Sequence, residues 1–143
     1  MFFGKMKKKA TPGSSVEGGD DLKTVVLVGH CGPDSWMLSS AVERIVPGAK
    51  VEQVHDDGAL EAYLNGESVL LVNRVLDGRF FTGSGIELIG KVCGGEGGVV
   101  AILISNFAEA QEEAVAAGAG RGFGKSDLYE ARTGEILREA VGG

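Results

Sequence analysis

From residue 24 onward, short apolar runs rich in branched residues alternate five times with stretches of helical period, and this alternation limits the fold most. TVVLVG (24–29) has the composition of a buried strand. In the stretch that follows, Pro33 suits a first helical turn. Met37, Leu38, Ala41, Val42 and Ile45 then share one helical face up to Pro47-Gly48. KVEQV (50–54) predicts a second strand and GALEAYLNG (58–66) a short helix. SVLLVN (68–73) predicts a third strand, followed by a glycine-rich loop and a helix over GIELIGKV (85–92). GVVAILI (98–104) is the clearest strand, and FAEAQEEAVAAGA (107–119) predicts an alanine-rich helix. A weak strand at GFG (122–124) precedes DLYEARTGEILREAV (127–141), which reads as a final helix blemished by Thr133-Gly134, or as a helix followed by a small hairpin.

Five strand-helix units in series require a parallel sheet covered by helices on both faces. Right-handed crossovers and the 120 residues from 24 to 143 favour a flavodoxin-like (CheY-like) open sheet: a three-layer α/β/α fold with strand order 2-1-3-4-5. Such folds place their sites beyond the carboxyl ends of the strands. The residues there are Gly29, His30 and Cys31 after strand one, Asn73 after strand three, and Ser105-Asn106 after strand four.

Charge divides the chain into two parts. Residues 1–23 hold five lysines against Glu17, Asp20 and Asp21, while the net charge of the whole is −6, which leaves −8 on residues 24–143. The first part, Lys-, Gly- and Ser-rich, predicts a flexible tail, and the second a single domain. An acidic domain argues against general nucleic-acid binding. Contact of Phe2, Phe3 and Lys5–Lys9 with an anionic membrane is a weaker reading, because such an anchor lacks a lipid or a longer helix. Two cysteines imply no disulfide framework, and no secretory signal or run of ~20 apolar residues is present, so the expected setting is cytoplasmic.

Several phrases resemble the response-regulator receiver domain over about residues 24–141. Asp57-Gly58-x-x-Glu61-Ala62 is similar to the start of the receiver's second helix, and Gly85-Ile86-Glu87-Leu88-Ile89 to the start of its third. Ala116-Ala117-Gly118-Ala119 and Gly122-Phe123-Gly124-Lys125-Ser126 resemble its passage from helix four to the lysine after strand five. The resemblance implies where chemistry belongs. The receiver's Mg²⁺-holding acidic pair falls on Gly29-His30-Cys31, its phosphoacceptor aspartate on Asn73, its switch Ser/Thr on Ser105 and its lysine on Lys125. Its aromatic switch residue falls on Gly122, beside Phe123.

Aspartyl-phosphate formation needs a carboxylate nucleophile, and Mg²⁺ takes hard oxygen ligands. Both are missing from those positions, so the expectation is a non-enzymatic pseudo-receiver without a cofactor or metal. Its partner would be another signalling protein (a kinase, output protein or receiver) or a second copy. Contact is expected through Trp36 on helix one and through the helix 4–strand 5–helix 5 face around Gln111, Glu112 and Phe123. Phe80 and Phe81 read either as a core cap or as a contact patch. Asn73 is expected to accept from Lys125 and donate to Ser105.

The alternatives are a phosphorylatable response regulator of a phosphorelay and a small-ligand-binding or enzymatic flavodoxin-like domain. Asp34 reads as a helix-dipole partner, Asp56 and Asp57 as facing another edge, and Asp77 as a turn residue. Ala119–Ser126 fits a relaxed phosphate loop, but it follows a helix where such loops follow a strong strand. His30-Cys31 has no second His/Cys pair at metal-ligand spacing.

Overall fold

The computed structural model describes residues 22–95 and 97–142, and residues 24–142 form one five-stranded α/β domain. The expected flexible tail and its membrane contact lie almost entirely outside the described residues. Strands β1 (Thr24–Val28), β2 (Val51–Val54), β3 (Ser68–Asn73), β4 (Val100–Ile104) and β5 (Gly120–Phe123) are all parallel, in the order 2-1-3-4-5. The helices are α1 (Gly32–Ile45), α2 (Asp57–Leu60), α3 (Gly85–Cys93), α4 (Ala108–Ala116) and α5 (Ala131–Gly142).

The near-continuous apolar strands follow from burial on both sheet faces, with successive side chains pointing to opposite sides. Val25, Leu27, Val69, Leu71, Ile102 and Ile104 face α1 and α5, meeting Leu38, Val42, Ile136 and Leu137. Val26, Val28, Leu70, Val72, Ala101 and Leu103 face the other layer, meeting Leu60, Leu88, Ile89 and Ala114. In-register pairing such as Leu27 with Leu71 and Asn73 with Ile104 brings the carboxyl ends of the central strands level. The site is built on that level edge.

The second helix, β4 and the last helix are among the elements that differ from their sequence expectations. The second helix is α-helical only to Leu60 and tightens into a 3₁₀ turn at Glu61–Tyr63, where Leu64 N–H donates to the Glu61 carbonyl. Asn65 ends it by donating to Ala62 and accepting from Glu67 N–H. β4 starts at Val100, because Gly98 turns the chain with a φ of +72° that only glycine adopts readily. The last helix starts at Ala131, after a 3₁₀ turn at Lys125–Asp127. Thr133-Gly134 lies inside it and is buried, and the Thr133 hydroxyl donates back to the Asp127 carbonyl at 2.7 Å.

The start of α3 is held by a reciprocal cap. Ser84 Oγ accepts from Glu87 N–H at 3.2 Å, while the Glu87 carboxylate accepts from Gly83 N–H at 2.7 Å. Ser84→Ala should lower stability by about 1 kcal/mol in chemical denaturation, whereas Ser84→Asp should keep most of it.

Candidate functional site

Four chain segments meet at the carboxyl edge: residues 29–34 after β1, 73–84 after β3, 105–107 after β4 and 124–127 after β5. Gly29 leaves β1 with a φ of +74°. A side chain there would also have nowhere to go, since a Cβ would stand 2.8 Å from the Leu76 side chain and 3.1 Å from its Cα. The segment after β3 lies across this point as a strap. Asp77 N–H donates to the Gly29 carbonyl at 2.9 Å, Arg79 N–H to the His55 carbonyl at 2.7 Å, and Phe81 N–H to the Asp57 carboxylate at 2.8 Å. Leu76 thus covers the end of β1.

His30 is fully buried, and its Nε2 contacts the Leu71 carbonyl of β3 at 2.8 Å, while Nδ1 is buried without a partner. Burial lowers its pKa from 6.5 to about 4; the Leu71 bond opposes the shift and the nearby Lys125 charge adds to it. The ring is therefore neutral near pH 7, with Nε2–H the donor to the Leu71 carbonyl. Cys31 is half-buried at the N-cap of α1 and makes no side-chain cap.

Asn73 ends β3 with both halves of its amide engaged. Its Nδ2 donates to the Gly29 carbonyl at 2.9 Å and to the Val75 carbonyl at 2.7 Å. Its Oδ1 accepts from Lys125 Nζ at 3.4 Å. The expected acceptance from Lys125 is present, but the donation goes to two backbone carbonyls and not to Ser105. The amide bridges the strap instead, sharing the Gly29 carbonyl with Asp77 N–H and also reaching the Val75 carbonyl. Ser105 Oγ instead accepts from Phe107 N–H at 3.1 Å.

Lys125 finds its stronger partner in Asp34, Nζ to Oδ2 at 2.6 Å. That bond is the main cause holding the Asp34 carboxyl below its usual range. Asp34 therefore does more than complement the dipole of α1. The expectation missed it because it followed sequence neighbours; α1 and the turn after β5 meet only when α1 and α5 pack on the same sheet face. Arg74, which stacks on the Phe107 ring at 5.0 Å, and Leu76 are further site residues without an advance signal.

A shallow cavity of about 250 Å³ opens over Asn73, Arg74, Val75, Ser105, Asn106, Phe107 and Lys125. Ser105 and Lys125 are thus brought together with Asn73, in agreement with the strand order. Among the described residues, no three His, Cys, Asp or Glu side chains gather to hold a metal ion.

The candidate contact residues separate sharply. Trp36 and Phe81 are 71% and 91% exposed, whereas Phe80 packs against the core. Phe123 is no surface residue: at 1% exposure it fills the core beneath α1 and α5. Strand alternation puts residue 123 inward, leaving the neighbouring position 122 to face α4. Gln111 is half-buried and tied down, its Nε2 near the carbonyls of Leu103 (2.9 Å), Ser105 (3.0 Å) and Phe123 (3.4 Å). Its amide fills the space beside Gly122, where a Cβ would strike both the Gln111 side chain and the Leu103 carbonyl.

Comparison with solved structures identifies this architecture. The signal receiver domain of a DNA-binding response regulator from Colwellia psychrerythraea 34H matches with a TM-score of 0.62 at 15% identity, over 82% of this chain and 96% of that one. The chain has the receiver-domain fold. A second response regulator from Colwellia psychrerythraea matches the receiver fold at 0.59 and 21% identity, over 82% and 95%. A response regulator protein from Burkholderia pseudomallei, with a phosphorylated aspartic acid, calcium ion and citrate, matches at 0.50 and 20%, over 82% and 72%. No protein-family model matches the sequence, and no curated protein matches it. No helix among the described residues of this receiver-fold chain is long and apolar enough to cross a membrane.

Proposed function

We propose that this chain is a pseudo-receiver, a signalling module that works by protein contact and accepts no phosphoryl group. The observation that carries this reading is the closed end of β1: a left-handed glycine at 29, Leu76 lying against it, and the Asn73 amide bonded to the Gly29 carbonyl. A carboxylate at residue 29 would collide with the strap, and an amide at residue 73 offers no nucleophilic oxygen anion. Lys125, which the receiver resemblance assigns to phosphate, is instead neutralised by Asp34.

These features hold the four segments of the edge in one arrangement. Asn73 links the segments after β1 and β3, the Asp34–Lys125 pair links α1 to the turn after β5, and Gln111 links β4 to β5. A module fixed in this way presents a constant surface, and Trp36 and Phe81 are its exposed aromatic anchors. Exposed aromatics suit a protein partner, either another signalling protein or a second copy.

Trp36 is the only tryptophan and stands in α1, the helix that carries Asp34, so its emission reports on the segment that follows β1. Titration with Mg²⁺ should leave that emission and the amide shifts of residues 29–34 unchanged. A saturable response centred on those residues would contradict the proposal.

A further inference from the structure

β5 ends the sheet on one side, so one of its two edges has no strand beside it. It reads Gly120-Arg121-Gly122-Phe123, without the proline or lysine that commonly guards an open edge. Gly120 and Arg121 are exposed, and two glycines in this stretch let another backbone come close. The pairing with β4 shifts by one residue between Ile102–Gly120 and Ile104–Phe123, which sets Arg121 and Gly122 together opposite Leu103. Such a bulge re-aims the side chains around it.

A cavity adjoins this edge on each face of the sheet. On the α4 side about 610 Å³ opens between Phe107, Val115, Gly122 and Arg132. On the α5 side about 210 Å³ opens between Val100, Ile102, Ile136 and Ala140. Arg121 lines both. An extended segment laid beside β5 sends successive side chains to opposite faces, one into each cavity. The larger has room for an aromatic side chain and the smaller for an aliphatic one. One main-chain bond of such a segment is already imitated. The Phe123 carbonyl faces β4 and accepts from Ser105 N–H, so the Gly122 carbonyl before it points to the open edge. There Arg132 Nη1 donates to it at 3.1 Å, as the N–H of a neighbouring strand would.

Charge selects the occupant. Arg121 is the only charged residue of β5, and among the described residues no carboxylate pairs with it. Of the acids that line the two cavities, Asp127 is engaged by Arg132 at 3.6 Å and by Gly124 N–H, while Glu112 and Glu139 stand on α4 and α5. A second copy paired antiparallel through the same edge sets Arg121 against Arg121, and like charges directly opposite resist pairing. A carboxylate there is attracted.

We propose that the open edge of β5 accepts an extended segment of a partner protein as an added strand. The segment carries a carboxylate opposite Arg121, an aromatic side chain for the larger cavity and an aliphatic one for the smaller. Its backbone N–H replaces Arg132 on the Gly122 carbonyl. This surface is apart from Trp36 and Phe81, and the proposal does not depend on whether the pocket at Asn73 accepts phosphate.

A display library of random short peptides, selected on the immobilised chain, tests it. Selected sequences should set an aromatic residue beside an aliphatic one, with Asp or Glu close by. Bound peptides should shift the amides of residues 120–124 and show backbone contacts with β5, while the amides of β1 and β3 stay in place. N-methylation of alternate peptide nitrogens should abolish binding in one phase of the alternation and spare it in the other. Arg121→Glu, an exposed substitution, should weaken the acidic peptides about tenfold and turn the selection toward Lys or Arg. A selection that yields no binder would overturn the proposal. So would peptides that bind as helices or shift only residues outside 120–124, and so would an affinity that Arg121→Glu leaves unchanged. A shift of residues 120–124 that grows with protein concentration and needs no peptide assigns the edge to a second copy and overturns it too.

Discussion

Between pH 7.5 and pH 4.5 the chain should lose about 2.5 kcal/mol of folding stability through His30 alone. The unfolded histidine takes a proton near pH 6.5, whereas in the folded chain burial delays protonation until about pH 4. The unfolded state therefore binds more protons throughout this window, and stability falls as pH falls through it. The groups facing His30 modulate the effect without reversing it: Lys125 and His55 disfavour the charged ring, and Asp34 favours it. Asp34 has a separate window. Its carboxyl titrates below the usual range, so the stability that its bond to Lys125 contributes is present above about pH 4 and lost below it. Urea denaturation at a series of pH values measures both. In His30→Gln, whose amide keeps a donor for the Leu71 carbonyl, the slope between pH 6.5 and 4.5 should largely disappear. An unchanged slope in that variant would place the acid sensitivity elsewhere.

Asn73→Asp should destabilise the domain by about 2 kcal/mol and gain no chemistry. The substitution turns a donor into an anionic acceptor facing the carbonyls of Gly29 and Val75, which stand 2.9 and 2.7 Å from Nδ2. Lys125, 3.4 Å from Oδ1, offsets part of the repulsion, but it is already held more closely by Asp34. Below about pH 4, where the introduced carboxyl takes a proton and regains one donor, the gap to the natural chain should narrow. With Mg²⁺ and a small phosphodonor the variant should remain unmodified, because residues 29–31 still supply no carboxylate. Robust phosphorylation of this single variant would show that the end of β1 opens to admit a metal ion.

The fold was legible because burial on two faces writes itself into composition. Runs such as Val69–Val72 and Ala101–Ile104 have no polar alternation, and only a doubly covered parallel sheet accepts several of them in series. Strand order places Asn73 and Ser105 at one edge, and the receiver resemblance adds Lys125 to them. Asp34 and Leu76 were illegible for a different reason. Each acts on a group 47 or more residues away in the chain, Asp34 on Lys125 and Leu76 on Gly29, and neither contact leaves a local pattern. Phe123 was placed on the contact face by resemblance, whereas alternation along β5 turns its side chain into the layer under α1 and α5.

The pseudo-receiver account is tested most directly by incubating the unsubstituted chain with Mg²⁺ and acetyl phosphate and measuring its intact mass under neutral conditions. The account predicts an unmodified chain at every time point. A stoichiometric, acid-labile phosphoryl adduct on any aspartate, Asp34 included, would contradict it.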